Sequence, residues 1–475
     1  MVRLSLNNVL CYVDGPEEIL GLVQKALTWT VKGAFFSPAY QAKHWDGKKS
    51  LYYKRYDAFP AGLVKYITDK FKREGIEYEI QWIGPDYPPI ELKTPKLDIE
   101  DRDYQEGTFE AFLKTKRGIA KLSTRSGKTT IAIKCATALD VPTLFIVHTK
   151  ALFDQTITQW KMKTGTEPGK IGDGVWKPKK FTIALIQSLH SKQKRDKQLF
   201  QDYLFTIRFL IIDEVHRTTK SYLDVGHACK NADWRLGLSA TPLMSGKGNK
   251  LMSMSLTGPM FYEVGMAELI EKGVIVKPKI YFISTDFKNE AYDFADAYDA
   301  GIVSNEQRNL MIAICAKKII NKGKAVLILV EKKKHIENLM KIFNETPYRC
   351  TSVTGRDKTD VRDEAKLKIQ DGSLDILITT RIFDEGIDLP ALSAVIIASG
   401  YKSPTKIYQQ GGRPVTKFDG KDYAIVVDFL DYGHPDLNEH SQKRVALCRK
   451  EKAFEVHFTN IDEFSPFPEI KNEES

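Results

Sequence analysis

Short apolar runs separated by helix-length polar spacers dominate the middle and the end of this chain. Residues 143–147 (TLFIV), 181–186 (FTIALI) and 209–212 (FLII) form one group. Residues 325–330 (AVLILV), 374–378 (LDILI), 394–398 (AVIIA) and 423–427 (YAIVV) form a second. Continuous β-branched runs without polar alternation predict strands buried on both faces, as in a parallel sheet covered by helices. Two such groups predict two α/β domains in tandem, with a break near residues 272–279.

The first part of the chain is patterned differently. Residues 9–13 predict a strand, residues 17–29 and 66–74 have helical spacing, and the Gly- and aromatic-containing stretch between them suggests a hairpin. Pro85, Pro88, Pro89 and Pro95 crowd residues 84–96, which read as a linker. Residues 434–458 have helical spacing and carry Lys443, Arg444, Arg449, Lys450 and Lys452. The expected organisation is a small basic α+β domain over 1–90, α/β domains over 96–272 and 273–435, and a basic helical segment with a tail over 436–475.

Composition narrows the class. A chain of 475 residues is too long for one core and suits roughly three domains of about 150 residues. With 42% hydrophobic and 28% charged residues it reads as globular rather than disordered or fibrous. Cys11, Cys135, Cys229, Cys315, Cys350 and Cys448 are scattered without a C-x-x-C pair. That spacing predicts free thiols in a reducing compartment, with neither zinc nor disulfides. No signal peptide and no apolar run of membrane-spanning length is visible, so a cytoplasmic protein is expected, in the host cell if phage-encoded.

Charge adds a partner. The formal net charge of +10 suits a phosphate-rich ligand. Residues 40–73 hold nine basic residues against three acidic ones, and Lys43, Lys48, Lys49, Lys54 and Arg55 are the expected nucleic-acid contacts. The interleaved Tyr40, Trp45, Tyr52, Tyr53, Tyr56, Phe59 and Tyr66 can stack on bases or pack the domain's own core, and core packing is the stronger expectation.

Two short motifs carry the chemistry. Ser126-Gly127-Lys128-Thr129 follows an apolar run and precedes helical spacing over 130–139, the setting in which backbone N–H groups and a helix N-terminus cradle phosphate. Lys128 can reach the β- and γ-phosphates and the Thr129 hydroxyl can bind Mg²⁺. The usual first glycine of G-x-x-x-x-G-K-[ST] is absent, since Leu122 stands there. Asp213-Glu214-Val215-His216 ends the run 209–212, which puts Asp213 at the carboxyl end of a strand, where open parallel sheets bind ligands. Asp213 can hold Mg²⁺ through water, and Glu214 can orient or deprotonate an attacking water.

In order along residues 100–432, these and further motifs resemble the superfamily 2 DExH helicases. Tyr104-Gln105 resembles the adenine-reading motif, Ser123–Thr129 the phosphate loop, and His148-Thr149 and Ile186-Gln187 the DNA-contacting motifs. Asp213–His216 resembles the DExH box and Ser239-Ala240-Thr241-Pro242 the coupling motif. Residues 385–390 (EGIDLP) and Gln409-Gln410-Gly411-Gly412-Arg413 resemble the second-lobe motifs.

The resemblance implies two tandem RecA-like motor domains, ATP and Mg²⁺ as cofactors, and hydrolysis that drives a hinge. It assigns nucleotide contacts to Tyr104, Gln105, Ser126, Gly127, Lys128, Thr129, Thr130, Gly386, Asp388 and Gln409. Thr129 and Asp213 would hold the metal, and Lys128, Asp213, Glu214 and the arginine finger Arg413 would be catalytic. His216, Ser239, Ala240 and Thr241 would couple the nucleotide state to DNA grip. Thr149, Gln187, Thr354, Gly355 and Thr379 would touch DNA. Two positions depart from the family pattern: Arg125 replaces a small residue of the phosphate loop, and Thr416, followed by Lys417, replaces the second arginine of the last motif.

The stretch Phe36-Ser37-Pro38, His44-Trp45-Asp46-Gly47 and Phe59-Pro60-Ala61-Gly62-Leu63 resembles the N-terminal domain of phage branch-migration helicases of the UvsW type. That resemblance implies a monomeric recombination and repair enzyme acting on forked, four-way or duplex DNA. An RNA helicase, or an ATP-switched duplex clamp that separates no strands, are the competing readings.

Overall fold

Each of the seven apolar runs in the two groups that mark the α/β domains becomes a parallel strand, whereas residues 10–14 near the start of the chain form an antiparallel one. The computed structural model describes residues 1–95, 97, 102–240, 246–380, 392–400 and 422–466. Contacts divide the chain at Gly265/Met266 into two units.

The larger sheet of the first unit has eight strands in the order Val175–Lys177, Gly169–Gly172, Phe181–Leu185, Thr143–Val147, Phe209–Ile212, Trp234–Ser239, Arg117–Leu122, Met260–Val264. All neighbours are parallel except the short hairpin at the first edge. Phe209, Leu210, Ile211 and Ile212 are each fully buried. At roughly 1.5–3 kcal/mol per side chain, such burial holds the central strands against the entropy of ordering them.

Residues 1–82 add a smaller sheet in the order Ala58–Pro60, Leu10–Asp14, Val2–Leu6, Tyr78–Trp82, with helices Glu17–Ala26 and Val64–Arg73. The helix expected over 17–29 stops at Ala26, and Thr28–Thr30 instead pairs antiparallel with Lys48–Ser50, the hairpin suggested by the sequence. This sheet packs on the rest of the unit through helix Gly246–Thr257. Gly62 lies so close that a Cβ there would sit 2.1 Å from the Met254 carbonyl oxygen. Lys247 Nζ donates to the Thr28 carbonyl at 2.7 Å, and the Gly248 backbone lies against the Trp29 indole.

The second unit is a seven-stranded, wholly parallel sheet in the order Cys350–Val353, Ile376–Thr379, Val326–Leu329, Ala394–Ile397, Tyr423–Asp431, Lys277–Thr285, Glu455–Thr459. The helix expected over 434–458 spans only Pro435–Lys450, and Glu455–Thr459 is the edge strand beside Lys277–Thr285. Nor are all the cations of that helix on its surface. Arg444 is fully buried, and its Nε donates to Asp428 Oδ2 at 2.8 Å. Arg308 makes a second buried pair, to Asp431 Oδ1 at 2.7 Å. Removing one partner from such a pair strands a buried charge and costs about 3–5 kcal/mol.

His335 is also fully buried in this unit, its Nε2 sharing a 2.9 Å hydrogen bond with Asn309 Oδ1. Burial, helped by the charge of Arg308, pushes its imidazole down from 6.5 to about 3. The unfolded chain therefore takes the proton first, so the His335 contribution is complete above pH 6.5 and is lost as pH falls towards 3. The slope reaches about 1.4 kcal/mol per pH unit. Chemical unfolding at pH 7 and pH 5 should show His335→Gln losing roughly 2 kcal/mol less than wild type over that interval. Equal losses would place the acid sensitivity elsewhere.

Candidate nucleotide and nucleic-acid site

Four adjacent strands of the first unit (Thr143–Val147, Phe209–Ile212, Trp234–Ser239 and Arg117–Leu122) run parallel, so their carboxyl ends share one edge of the sheet. The sequence motifs follow these strands directly, which is how residues about 85 positions apart come to meet.

The phosphate loop closes on Gly127, the N-cap of helix Lys128–Leu139, at φ +84°. A Cβ at this position would sit 2.3 Å from Gln105 Nε2, so both backbone conformation and space demand glycine. Gln105 is buried. Its Nε2 donates to the Ser126 carbonyl at 3.0 Å, while the Arg102 N–H donates to its Oε1 at 3.2 Å. The expected adenine reader thus also braces the phosphate loop. Tyr104 is buried, its hydroxyl accepting from Arg102 Nη1 at 3.0 Å, so it offers no open ring face. Arg125 holds a left-handed φ of +73°, a conformation that costs a non-glycine residue about 1–2 kcal/mol.

Across the sheet edge, Lys128 Nζ lies 3.7 Å from Glu214 Oε1. Glu214 itself is left-handed at φ +47°, a strain of the kind kept at functional sites. His216 Nδ1 shares a 2.8 Å hydrogen bond with Ser239 Oγ and lies 3.2 Å from Glu214 Oε2. Ser239 Oγ is 3.4 Å from the same carboxylate oxygen. The DExH box and the coupling motif are therefore joined directly. Ala240 follows, half-buried.

Electrostatics separates the two carboxylates. Asp213 is pushed above the usual carboxylate range by burial first and by the charge of Glu214 second, with Lys128 opposing. Burial also pushes Glu214 up, but Lys128 and the hydrogen bond from His216 outweigh it and hold Glu214 low and ionised.

These residues fit a nucleoside triphosphate. The Ser126 hydroxyl is fully buried with no hydrogen-bond partner among the described residues, and a phosphate oxygen would satisfy it. Among the described residues no cluster of three His, Cys, Asp or Glu could ligate a metal. A divalent ion here would rely on Thr129, Asp213, water and phosphate oxygens, the usual Mg²⁺ arrangement. Thr130 lies in the first turn of the same helix.

The expected DNA contacts behave unequally. Gln187 Nε2 donates to the His148 carbonyl at 2.8 Å, which brings the two first-lobe motifs together. The Thr149 hydroxyl caps helix Lys150–Thr164 by accepting from Leu152 N. Thr354 and Gly355 follow strand Cys350–Val353, and the Thr354 hydroxyl donates to Asp357 Oδ2 at 2.8 Å. Thr379 is fully buried as the last residue of its strand, and its hydroxyl donates to the Thr380 carbonyl at 3.1 Å. Lys43, Lys48, Lys49, Lys54 and Arg55 are all exposed. Of the aromatics, Tyr52 and Phe59 are core, whereas Tyr40 and Tyr56 are exposed. Thr241, Gly386, Asp388, Gln409, Arg413, Thr416 and Lys417 lie outside the described residues.

Sequence reasoning missed Ser253, whose buried Oγ donates to the Val215 carbonyl at 3.0 Å, steadying the turn that carries Glu214. No local signal marks it, because the contact depends on how helix Gly246–Thr257 packs.

Comparison with known proteins places two domain families on the chain. Residues 98–244 match the family described as "Type III restriction enzyme, res subunit", and residues 309–415 match "Helicase conserved C-terminal domain". The chain is 27% identical over 430 residues to the DNA 3'-5' translocase XPB2 of Sulfurisphaera tokodaii, covering 82% of this chain and 94% of that protein. It is 24% identical over 456 residues to the ATP-dependent DNA helicase uvsW of Enterobacteria phage T4, covering 88% of each. A solved structure of S. cerevisiae Dbp5 bound to RNA and ADP BeF3 superposes with a TM-score of 0.53 at 17% identity, covering 76% of this chain and 90% of that one. The shared fold is the pair of RecA-like domains.

Proposed function

We propose that this chain, an ATP-hydrolysing helicase of superfamily 2 similar to DNA helicases and translocases, works on branched DNA. The proposed activity is junction migration and fork regression during recombination and repair, in a phage. The phage T4 relative, matched along 88% of both chains, supports this reading. So does the excess of exposed lysine and arginine at residues 43–55. In the proposed division of labour, residues 1–90 grip DNA and 96–272 and 273–435 form the motor, with the helix and edge strand of 436–475 packed into the second motor sheet.

The observation that carries the mechanism is the joined set Lys128, Glu214, His216 and Ser239. Lys128 would bind the β- and γ-phosphates, with Ser126 and the loop N–H groups around them. Thr129 and Asp213 would hold Mg²⁺, which neutralises charge on the transferring phosphoryl group when bound. Glu214, kept ionised by Lys128 and His216, would orient the attacking water and take its proton. A change at Glu214 would pass through His216 to Ser239, and so to the coupling motif.

ATP turnover measured with single-stranded, duplex, forked and four-way DNA, and with single-stranded RNA, tests the track. Stimulation should be strongest with forked or four-way DNA. Stronger stimulation by RNA would replace this reading with an RNA helicase. DNA-stimulated turnover without any strand displacement would leave a switched clamp.

A further inference from the structure

Between the paired strands Thr28–Thr30 and Lys48–Ser50, residues 31–47 build a projecting tip with a fixed shape. Val31 N donates to the Gly47 carbonyl at 2.8 Å, Trp45 Nε1 to the Lys48 carbonyl at 2.6 Å, and Gln41 Nε2 to the Phe35 carbonyl at 3.3 Å. Gly47, at φ +76°, lies where a Cβ would press on Ala34 and the Tyr40 ring at 3.0–3.1 Å. The tip is therefore tied at its base and along its length.

What it presents is apolar. Phe36 is 75% exposed and Phe35 57%, with ring centroids 4.1 Å apart, and Tyr40 beside them is 41% exposed. A recess of about 580 Å³ is lined by Phe35, Tyr40, Gln41, Lys43, Trp45 and Asp46. Leaving two phenylalanine rings in water on a rigid support is unfavourable unless a partner covers them. The surrounding charge indicates which partner. Lys32, Lys43, Lys48 and Lys49 are exposed around the tip, against the single acid Asp46.

We propose that Phe35 and Phe36 form a stacking platform for unpaired bases, with the tip lysines holding the flanking phosphates. Phenylalanine has no hydrogen-bonding group, so it cannot read base edges in a groove. It gains most from a nucleic acid where a base face is already free and no stacked step has to be opened. On a paired duplex the rings would first have to open a stacked step, which is unfavourable, so this surface favours the point where strands separate. The inference rests on the reading that the chain works on branched DNA, and it names the feature of that DNA the tip recognises.

The test uses the full chain and synthetic forks carrying 2-aminopurine at the first unpaired position, without ATP. Wild type should quench the probe on binding. Phe35→Ala/Phe36→Ala should lose the quench and bind the fork roughly ten- to a hundredfold more weakly. Its affinity for a fully paired duplex of equal length should change less than twofold. Phe35→Leu/Phe36→Leu, which keeps apolar area but no π face, should also lose the quench, and Phe36→Trp should retain it. Lys48→Gln/Lys49→Gln should weaken fork and duplex alike and reduce the salt dependence.

Equal loss on fork and duplex in the double alanine variant, or an unchanged quench, would overturn the proposal. So would a concentration-dependent dimer that the alanine variant abolishes while fork binding persists, because the rings would then cover a second copy. Since these readouts need no hydrolysis, a chain that stacks bases but moves no junction would refute the branch-migration reading while leaving the platform intact.

Discussion

Glu214→Gln should lower ATP turnover by roughly 10²–10⁴-fold while nucleotide still binds, the range expected when a positioned general base is lost. Geometry explains why the loss is confined to chemistry. Glutamine keeps the side chain's size and its reach to His216 and Ser239, but it cannot take a proton from water. Removing the Glu214 charge relieves the repulsion that helps raise Asp213, but it also loses the pairing with Lys128 and His216 that holds Glu214 ionised, so the variant should melt somewhat below wild type while staying folded. Lys128→Ala should fail at an earlier point, losing phosphate affinity together with turnover. Steady-state turnover and a fluorescent-nucleotide titration separate the two cases. Turnover within threefold of wild type in Glu214→Gln would move the base elsewhere.

Gly62→Ala has the second large effect, on a different link of the chain of cause. Its Cβ would stand 2.1 Å from the Met254 carbonyl oxygen and 2.7 Å from that of Ser255, and neither backbone can step aside without moving helix Gly246–Thr257. Overpacking of this kind costs about 1–3 kcal/mol. A drop of several degrees in the thermal midpoint is expected. The same helix holds the Val215 carbonyl through Ser253, next to Glu214. DNA stimulation of turnover should therefore fall more than basal turnover at a temperature where the variant is folded. Gly248, close to Trp29, gives an independent way to disturb the same contact. A Gly62→Ala midpoint within one degree of wild type would show that the packing accommodates a methyl group.

The parallel strands were legible because burial on both faces leaves their sequence without polar interruption, as at Thr143–Val147 and Phe209–Ile212. Trp234–Ser239 was not read as a strand. Its Arg235 breaks the apolar run, yet it is buried and donates to the carbonyls of Gly226, Cys229 and Ala232. Glu455–Thr459 hid for another reason: a short edge strand with a polar sequence is specified by its partner, Lys277–Thr285, far away along the chain. Val2–Leu6 and Tyr78–Trp82 likewise depend on pairing with each other.

The site divides in the same way. Lys128, Asp213, Glu214 and Ser239 sit in local motifs, so their identities could be read directly. Their meeting depends on the strand order, which the sequence does not display. The brace from Gln105 to Ser126, the support from Ser253 and the exposed pair Phe35 and Phe36 all arise from packing. The burial of Thr379 could not be foreseen from a motif, because a terminal strand residue and a loop residue look alike in one dimension.

The most direct measurement of the central claim records ATP consumption and arm displacement together on a synthetic four-way junction. Wild type should convert the junction only when ATP and Mg²⁺ are present, with displacement proportional to ATP consumed. Glu214→Gln should bind the junction and release no product. Junction conversion by Glu214→Gln at the wild-type rate, or ATP consumption by wild type without any displaced arm, would contradict the account.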